Sequence, residues 1–490
     1  LAEVTAMDDD LAFRGAAELA HLIRRRKISS RELLDHYLSR IERLNPKLNA
    51  VVTLDQDRAR ERADDALAHG ESWGPLHGVP ITVKDVFETA GIRTTAGAPI
   101  FSAHVPATDA AAVARLLAAG AVLMGKTNTP FFADDVQAYN EIFGTTNNPW
   151  NVARSPGGSS GGSAAAIAAG LTALELGSDI GGSIRGPAHC CGVYGIKPTY
   201  GLVSLRGHIP PAPGTLAQLD IAAAGPIART ADDLDLALSV LAGPSDEGKI
   251  AWRLDLPAPR RNSLREYRVA AWLDDPSFPV DDAVRARLEA TVDSIRRAGV
   301  KVDDRARPEI DFAKIWQMYL ALVLPLYGVG MPPENFNPLA KLADSAPADS
   351  NDMAVVMARG ITGRHRDWIA TNEERERYRA RWADFFRDYD VMLCPAMSLP
   401  AIAHDHSEPK ERRTLIVNGA KRPYLDMVIP WAVLIGTAYL PSTSAPVGNT
   451  ADGLPVGVQV VGPYLEDRTT IDFARKLAEV VGGYRRPPGY

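Results

Sequence analysis

A chain of 490 residues, 46% hydrophobic and 23% charged, has the composition of an ordinary globular protein and enough length for a large buried core. Its net charge of −6 is spread along the sequence, which excludes a basic nucleic-acid footprint, and no run of 18 or more apolar residues offers a membrane span. Three cysteines, Cys190, Cys191 and Cys394, are too few for a disulfide framework, so a reducing, cytoplasmic setting is expected.

The chain starts at Leu1 with no charged segment leading into an apolar stretch, so no signal peptide is expected, although a few residues are expected to precede it. Residues 1–70 read as an N-terminal helical segment. Ser29 and Glu32 form a capping-box pattern before Leu33, Leu34, Tyr37, Leu38 and Ile41 at helical spacing, and Pro46 is expected to end that helix. A strand is predicted over 50–54, an alanine-rich helix over 109–119 and a short strand over 121–124. Residues 163–170 are almost all small, suited to a helix pressed closely against a sheet, and Thr230 caps a helix running to 241. The Pro-rich, charged stretch 243–265 reads as a connector. Alternation then resumes, with a strand over 267–273, an amphipathic helix over 281–298 and a strand over 300–303. Residues 312–351 have irregular apolar and Pro-rich content, and their apolar part, 318–331, reads as core or pocket wall. A charged helix over 371–389 feeds an apolar strand at Val391. This helix–strand alternation predicts an α/β protein: one large domain, 1–490, with a mixed, twisted sheet and helices on both faces.

The chemistry concentrates in two glycine-framed serines 24 positions apart: Ser159 in Gly157-Gly158-Ser159-Ser160-Gly161-Gly162, and Ser183 in Asp179-Ile180-Gly181-Gly182-Ser183-Ile184-Arg185. Upstream, Val79-Pro80-Ile81-Thr82-Val83 leads into Lys84. Consecutive N–H groups at Ile180, Gly181, Gly182 and Ser183 suit an oxyanion hole around a nucleophilic Ser183. A lysine amine ordinarily has a pKa of about 10.4, so Lys84 would serve as a base only if burial kept it neutral. Asp179 and Arg185 bracket the nucleophile loop and are expected to fix it through hydrogen bonds, while Ser160 helps position its own loop.

Two competing strings fail on context. Gly120 to Thr127 fits a phosphate-loop pattern, but a helix precedes it and its interior reads as strand. Gly157 to Gly161 fits a nucleophile elbow, yet Arg154-Ser155-Pro156 is loop rather than strand, and neither His365, His404 nor His406 has a convincing setting as a triad base. His404 and His406 lack the further ligands that a metal site needs, so no metal or cofactor is expected.

The ordered motifs together resemble the amidase signature family. They include Gly74-Pro75-Leu76-His77-Gly78-Val79-Pro80, Gly125-Lys126-Thr127-Asn128, Asn147-Asn148-Pro149-Trp150, Cys191-Gly192-Val193-Tyr194-Gly195-Ile196-Lys197-Pro198-Thr199 and Gly225-Pro226-Ile227, with Gly453-Leu454-Pro455-Val456-Gly457 near the end. The resemblance implies a signature core over 74–243, with 266–490 completing the sheet and supplying a variable substrate region. It further implies a triad of Ser183, Ser159 and Lys84, in which Ser159, at a non-proline cis peptide bond, relays a proton between the other two. The expected activity is hydrolysis of a carboxylic amide through an acyl-serine, or of aryl carbamates (urethanase activity) and esters, with a small molecule as the partner and self-association left open. Phe131, Phe132, Tyr139, Trp316 and Tyr319 are the expected walls of an apolar pocket. The alternative from the same resemblance is the glutaminase subunit of a tRNA-dependent amidotransferase. Phe131 and Phe132 stand against it, because those subunits are expected to be acidic and methionine-rich there.

Overall fold

The computed structural model describes residues 9–69, 73–245, 247–350 and 352–490. Residues 1–8 and 70 of the segment expected to be helical lie outside the described residues. Eleven strands form one mixed sheet: β1 (Val51–Leu54), β2 (Pro80–Lys84), β3 (Val122–Thr127), β4 (Glu175–Asp179), β5 (Tyr194–Lys197), β6 (Ala223–Ala228), β7 (Arg268–Ala271), β8 (Lys301–Asp303), β9 (Val391–Pro395), β10 (Ser442–Asn449) and β11 (Pro455–Val461). Their spatial order is β1-β3-β2-β4-β6-β5-β10-β11-β9-β7-β8. β2 runs parallel to both β3 and β4, and β9 parallel to β7, whereas the strands between these groups pair antiparallel. Every residue of β2, β3, β4, β5, β6, β9 and β11 is buried, as strands covered on both faces must be. Exposure returns at the edges, in β1 and β8.

The helix Ser30–Leu48 starts as its sequence predicts: Ser29 accepts from Glu32 N–H and Glu32 reaches back to Ser29 N–H. It does not end at Pro46. The helix continues to Leu48 and closes at Asn49, whose φ of 52° and ψ of 43° give a left-handed cap. The strand expected over 121–124 extends through Thr127, so Gly125, Lys126 and Thr127 lie in the β-ladder and no helix follows them. Three more segments differ from expectation. Residues expected to be irregular form the helices Phe312–Val323 and Pro333–Ser345, with a 3₁₀ turn at Leu324–Gly328 between them. The charged helix begins at His365, six residues earlier than its predicted start at 371, and runs to Asp388. The Pro-rich content of this segment suggests interruption, yet Pro325 and Pro333 occupy helical first turns, where a missing N–H costs nothing, and Pro338 is accommodated inside its helix. Among the described residues no helix is long and apolar enough to cross a membrane.

Candidate active site

Parallel strands end on the same side of a sheet, and the three that converge here each deliver part of the site. β2 ends in Lys84, β3 in Thr127 and β4 in Ser178 and Asp179. The loop after Pro156 crosses above them and enters the helix Gly161–Ala168. Within it the Gly158–Ser159 peptide is cis. A Cβ at Gly158 would sit 2.4 Å from Gln137 N, so only glycine lets this loop pass so close to its neighbour.

Lys84 is wholly buried. Its Nζ lies 2.6 Å from Ser159 Oγ and 3.2 Å from Ser178 Oγ. Burial disfavours the ammonium and brings its pKa down to about 7, against the raising influence of Asp179 and Glu175. Asp85, the neighbour with which an ordinary lysine would pair, instead accepts from Thr95. Ser160 N–H donates to Ser183 O at 3.1 Å and Ser160 Oγ lies 3.3 Å from Ser178 O, tying the two serine loops together.

The nucleophile loop is built around Asp179. Its carboxylate accepts from Gly182 N–H (2.9 Å), Ile184 N–H (3.0 Å) and Arg185 N–H (3.3 Å), and pairs with the Arg185 guanidinium at 2.7 and 3.0 Å. Burial alone would raise the Asp179 pKa, but Arg185 and these N–H donors outweigh it and hold it down at about 2. Arg185 in turn reaches Ala432 O and Gln459 Oε1, both at 2.8 Å, which anchors the loop to the far half of the sheet. One expectation changes: Gly182 N–H is committed to Asp179 and leaves the predicted four-donor set. Of the other three expected donors, Ile180 and Ser183 line the cavity described below. Gly182 has φ 106°, and a Cβ there would stand 2.8 Å from Ala432 Cβ. Gly182 therefore serves the turn rather than the oxyanion.

Ser159, Ser178, Asp179, Ile180, Ser183 and His208 share one cavity of about 280 Å³. Its remaining wall is largely apolar: Phe131, Phe132, Ala133, Pro210, Pro211, Leu219, Ala222, Val323, Leu326 and Val329, with Tyr327 and Asp134 at one side. Phe131 and Phe132 thus stand in the wall. Tyr139 and Trp316 do not. The Tyr139 hydroxyl bonds Asp135 and Glu408 while its ring stacks on His406 at 3.8 Å, and Trp316 packs against Phe278 and Tyr319 in the core. Tyr319 is not part of the wall either; its Oη packs where a Gly181 side chain would otherwise be.

Sequence reasoning misses Ser178 and His208, and it offers Tyr327 only as one of several aromatic residues in the variable region 312–351. Ser178 ends a buried strand directly before the Asp179 loop, a small hydroxyl where an apolar residue would be the default, and that is the available signal. Tyr327 donates to Asp134 Oδ1 at 2.5 Å and Lys410 Nζ also meets Asp134, so two distant segments meet at this side of the cavity. His208 is buried with its Nδ1 3.2 Å from Pro210 O, and burial beside Lys84 lowers its pKa to about 4. Among the described residues no group of His, Cys, Asp and Glu is arranged to hold a metal.

A model of the amidase family matches residues 32–471. The glutamyl-tRNA(Gln) amidotransferase A-type subunit of Methylococcus capsulatus is 34% identical over 505 residues, covering 96% of this chain and 98% of the relative. The corresponding subunit of Anaeromyxobacter sp. is 35% identical, covering 98% of each. Among solved structures, a 6-aminohexanoate cyclic dimer hydrolase superposes with a TM-score of 0.77 at 27% identity, over 97% of this chain and 99% of that one. A bacterial aryl acylamidase superposes with a TM-score of 0.79 at 25% identity, over 96% of each.

Proposed function

The chain belongs to the amidase family, and on that premise we propose that it hydrolyses the C–N bond of a carboxylic amide bearing an apolar or aryl group, with aryl carbamates and esters as chemically adjacent substrates. The observation that carries this reading is the 2.6 Å contact between a buried, charge-poor Lys84 amine and Ser159 Oγ, at the floor of an apolar cavity that also holds Ser183. Lys84 takes the Ser159 proton as Ser159 takes that of Ser183, whose Oγ attacks the carbonyl carbon. The resulting oxyanion is met by backbone N–H groups of Ile180, Gly181 and Ser183. The relay then runs backwards: Ser159 protonates the leaving nitrogen, Lys84 reprotonates Ser159, and water releases the acid from the acyl-serine by the same sequence. Three free, buried cysteines suit a reducing, cytoplasmic setting.

The second reading is the glutaminase subunit of an amidotransferase, and the names of the full-length sequence relatives favour it more directly than they favour a standalone amidase. The cavity favours the first. A glutamine substrate brings an α-carboxylate, and among the described lining residues there is no lysine or arginine to receive it. Turnover of an aryl acetamide, an aryl carbamate, an aryl ester and free glutamine, by wild type and by Ser183→Ala, separates the two. Amide or carbamate turnover that vanishes with Ser183 supports the standalone amidase. Turnover of glutamine alone, or co-purification of a second protein chain, moves the protein to the amidotransferase class.

A further inference from the structure

Glu175 is a buried acid that the relay does not use. Glu175 opens β4 directly beside Thr82 of β2, in the register Thr82↔Glu175. Thr82 and Lys84 are two residues apart on one strand and so share a face, and Lys84 pairs with Thr127 of β3. The helix Gly161–Ala168, which begins where the Ser159 loop ends, contributes Ser163, and Ser163 Oγ lies 2.9 Å from Thr127 Oγ1. The Glu175 carboxyl is therefore enclosed by the hydroxyls of Thr82, Thr127 and Ser163. They surround it without meeting the geometry of full hydrogen bonds, so they favour the charged form weakly. A buried carboxyl without strong donors carries a desolvation cost, and this one sits on the face of the sheet that carries Lys84.

We propose that Glu175 is a positioning residue for Lys84: by its own charge it sets how readily Lys84 releases its proton, and hence the pH at which the Ser159–Ser183 relay switches on. This rests on the relay proposed above. An ionised Glu175 favours the Lys84 ammonium, and a neutral one does not. Burial raises the Glu175 pKa to about 7, the same range as Lys84, so a proton taken up by Glu175 spares the lysine as the pH falls. The other charged groups around the pair are Asp179 on β4 with Arg185 behind it, Lys126 on β3 with Asp85 and Glu88, and His208, which faces Lys84. The helix carrying Ser163 adds no charge.

The test needs no assumption about substrate. Phenylmethylsulfonyl fluoride sulfonylates an activated serine: the Ser183 Oγ–S bond forms, the S–F bond breaks, fluoride leaves, and the serine proton passes through Ser159 to Lys84. The inactivation rate is measured from pH 5 to 10 in wild type and Glu175→Gln, with the adduct located by mass. The acid limb is expected to move to lower pH by about half a unit or more, with the alkaline plateau kept within about threefold. A limb that stays in place, or moves to higher pH, overturns the proposal even if the rate falls. Should Glu175→Gln fail to fold, Ser163→Ala is the second variant. It removes a hydroxyl that favours the carboxylate, so its limb should move the same way by less, and an unmoved limb there overturns the proposal equally. Absence of a Ser183 adduct in wild type would sink the relay itself, and this inference with it, which separates the two failures.

Discussion

Dryness sets when Lys84 loses its proton: the same lysine at a surface would stay charged to far above neutral pH, whereas burial brings its pKa to about 7. In the proposed relay deprotonation makes Lys84 the base, so kcat/KM for an amide is expected to rise through about pH 7 and hold on the alkaline side. A maximum below about pH 6 would contradict a lysine base. Lys84→Met, which keeps the volume and removes the amine, should lower kcat by at least about 100-fold. Gly182→Ala is expected to cost activity through the turn, because its left-handed backbone and the Ala432 contact leave no room for a methyl; thermal unfolding should show the fold retained. Ser183, Ser159 and Lys84 are legible in sequence because close backbone approach forces glycine around the serines, and glycine leaves a pattern. Ser178 and His208 are not, since a single serine at a strand end and a histidine in a loop have no spacing that marks them.

At the scale of elements, the Asp179–Arg185 pair is what holds the nucleophile loop between β4 and the helix Arg185–Cys191. Both side chains are fully buried, so Asp179→Ala strands a guanidinium without its partner and is expected to destabilise the fold by about 3–5 kcal/mol in urea unfolding. The Asp179 pKa is depressed, so its contribution stands above the ordinary aspartate range and fades as pH falls towards about 2. Helices with caps and clean periodicity, such as Ser30–Leu48, are legible at their starts. Their ends are less so: Pro46 sits in the last turn, where the helix tolerates it and closes at Asn49. The helix Pro333–Ser345 escapes a reading of the sequence because proline signals interruption and helix start alike.

At the scale of the molecule, the site exists because three strand ends from the first half of the chain meet walls supplied by the second. Val323, Leu326, Tyr327 and Val329 come from the helical region after residue 312, and Arg185 ties the nucleophile loop to Gln459 on β11. Local periodicity reveals the α/β class and the sheet's first half, but distance along the chain hides which aromatic residues meet across it. That is why Tyr139 and Trp316 are expected in the wall although they lie outside it. The apolar wall makes a selectivity prediction: Ala222→Phe should raise KM for a bulky aryl amide by about tenfold or more and leave an acetamide nearly unaffected. Equal effects on both substrates would mean that this wall does not receive the acyl or aryl group.

The proposed acylation of Ser183, driven by Lys84 through Ser159, is read directly by rapid-quench mass spectrometry with an activated aryl ester. One acyl group per chain is expected, located on Ser183, absent in Ser183→Ala and formed far more slowly in Lys84→Met. An adduct on any other residue, or one that forms equally fast without Lys84, would contradict it.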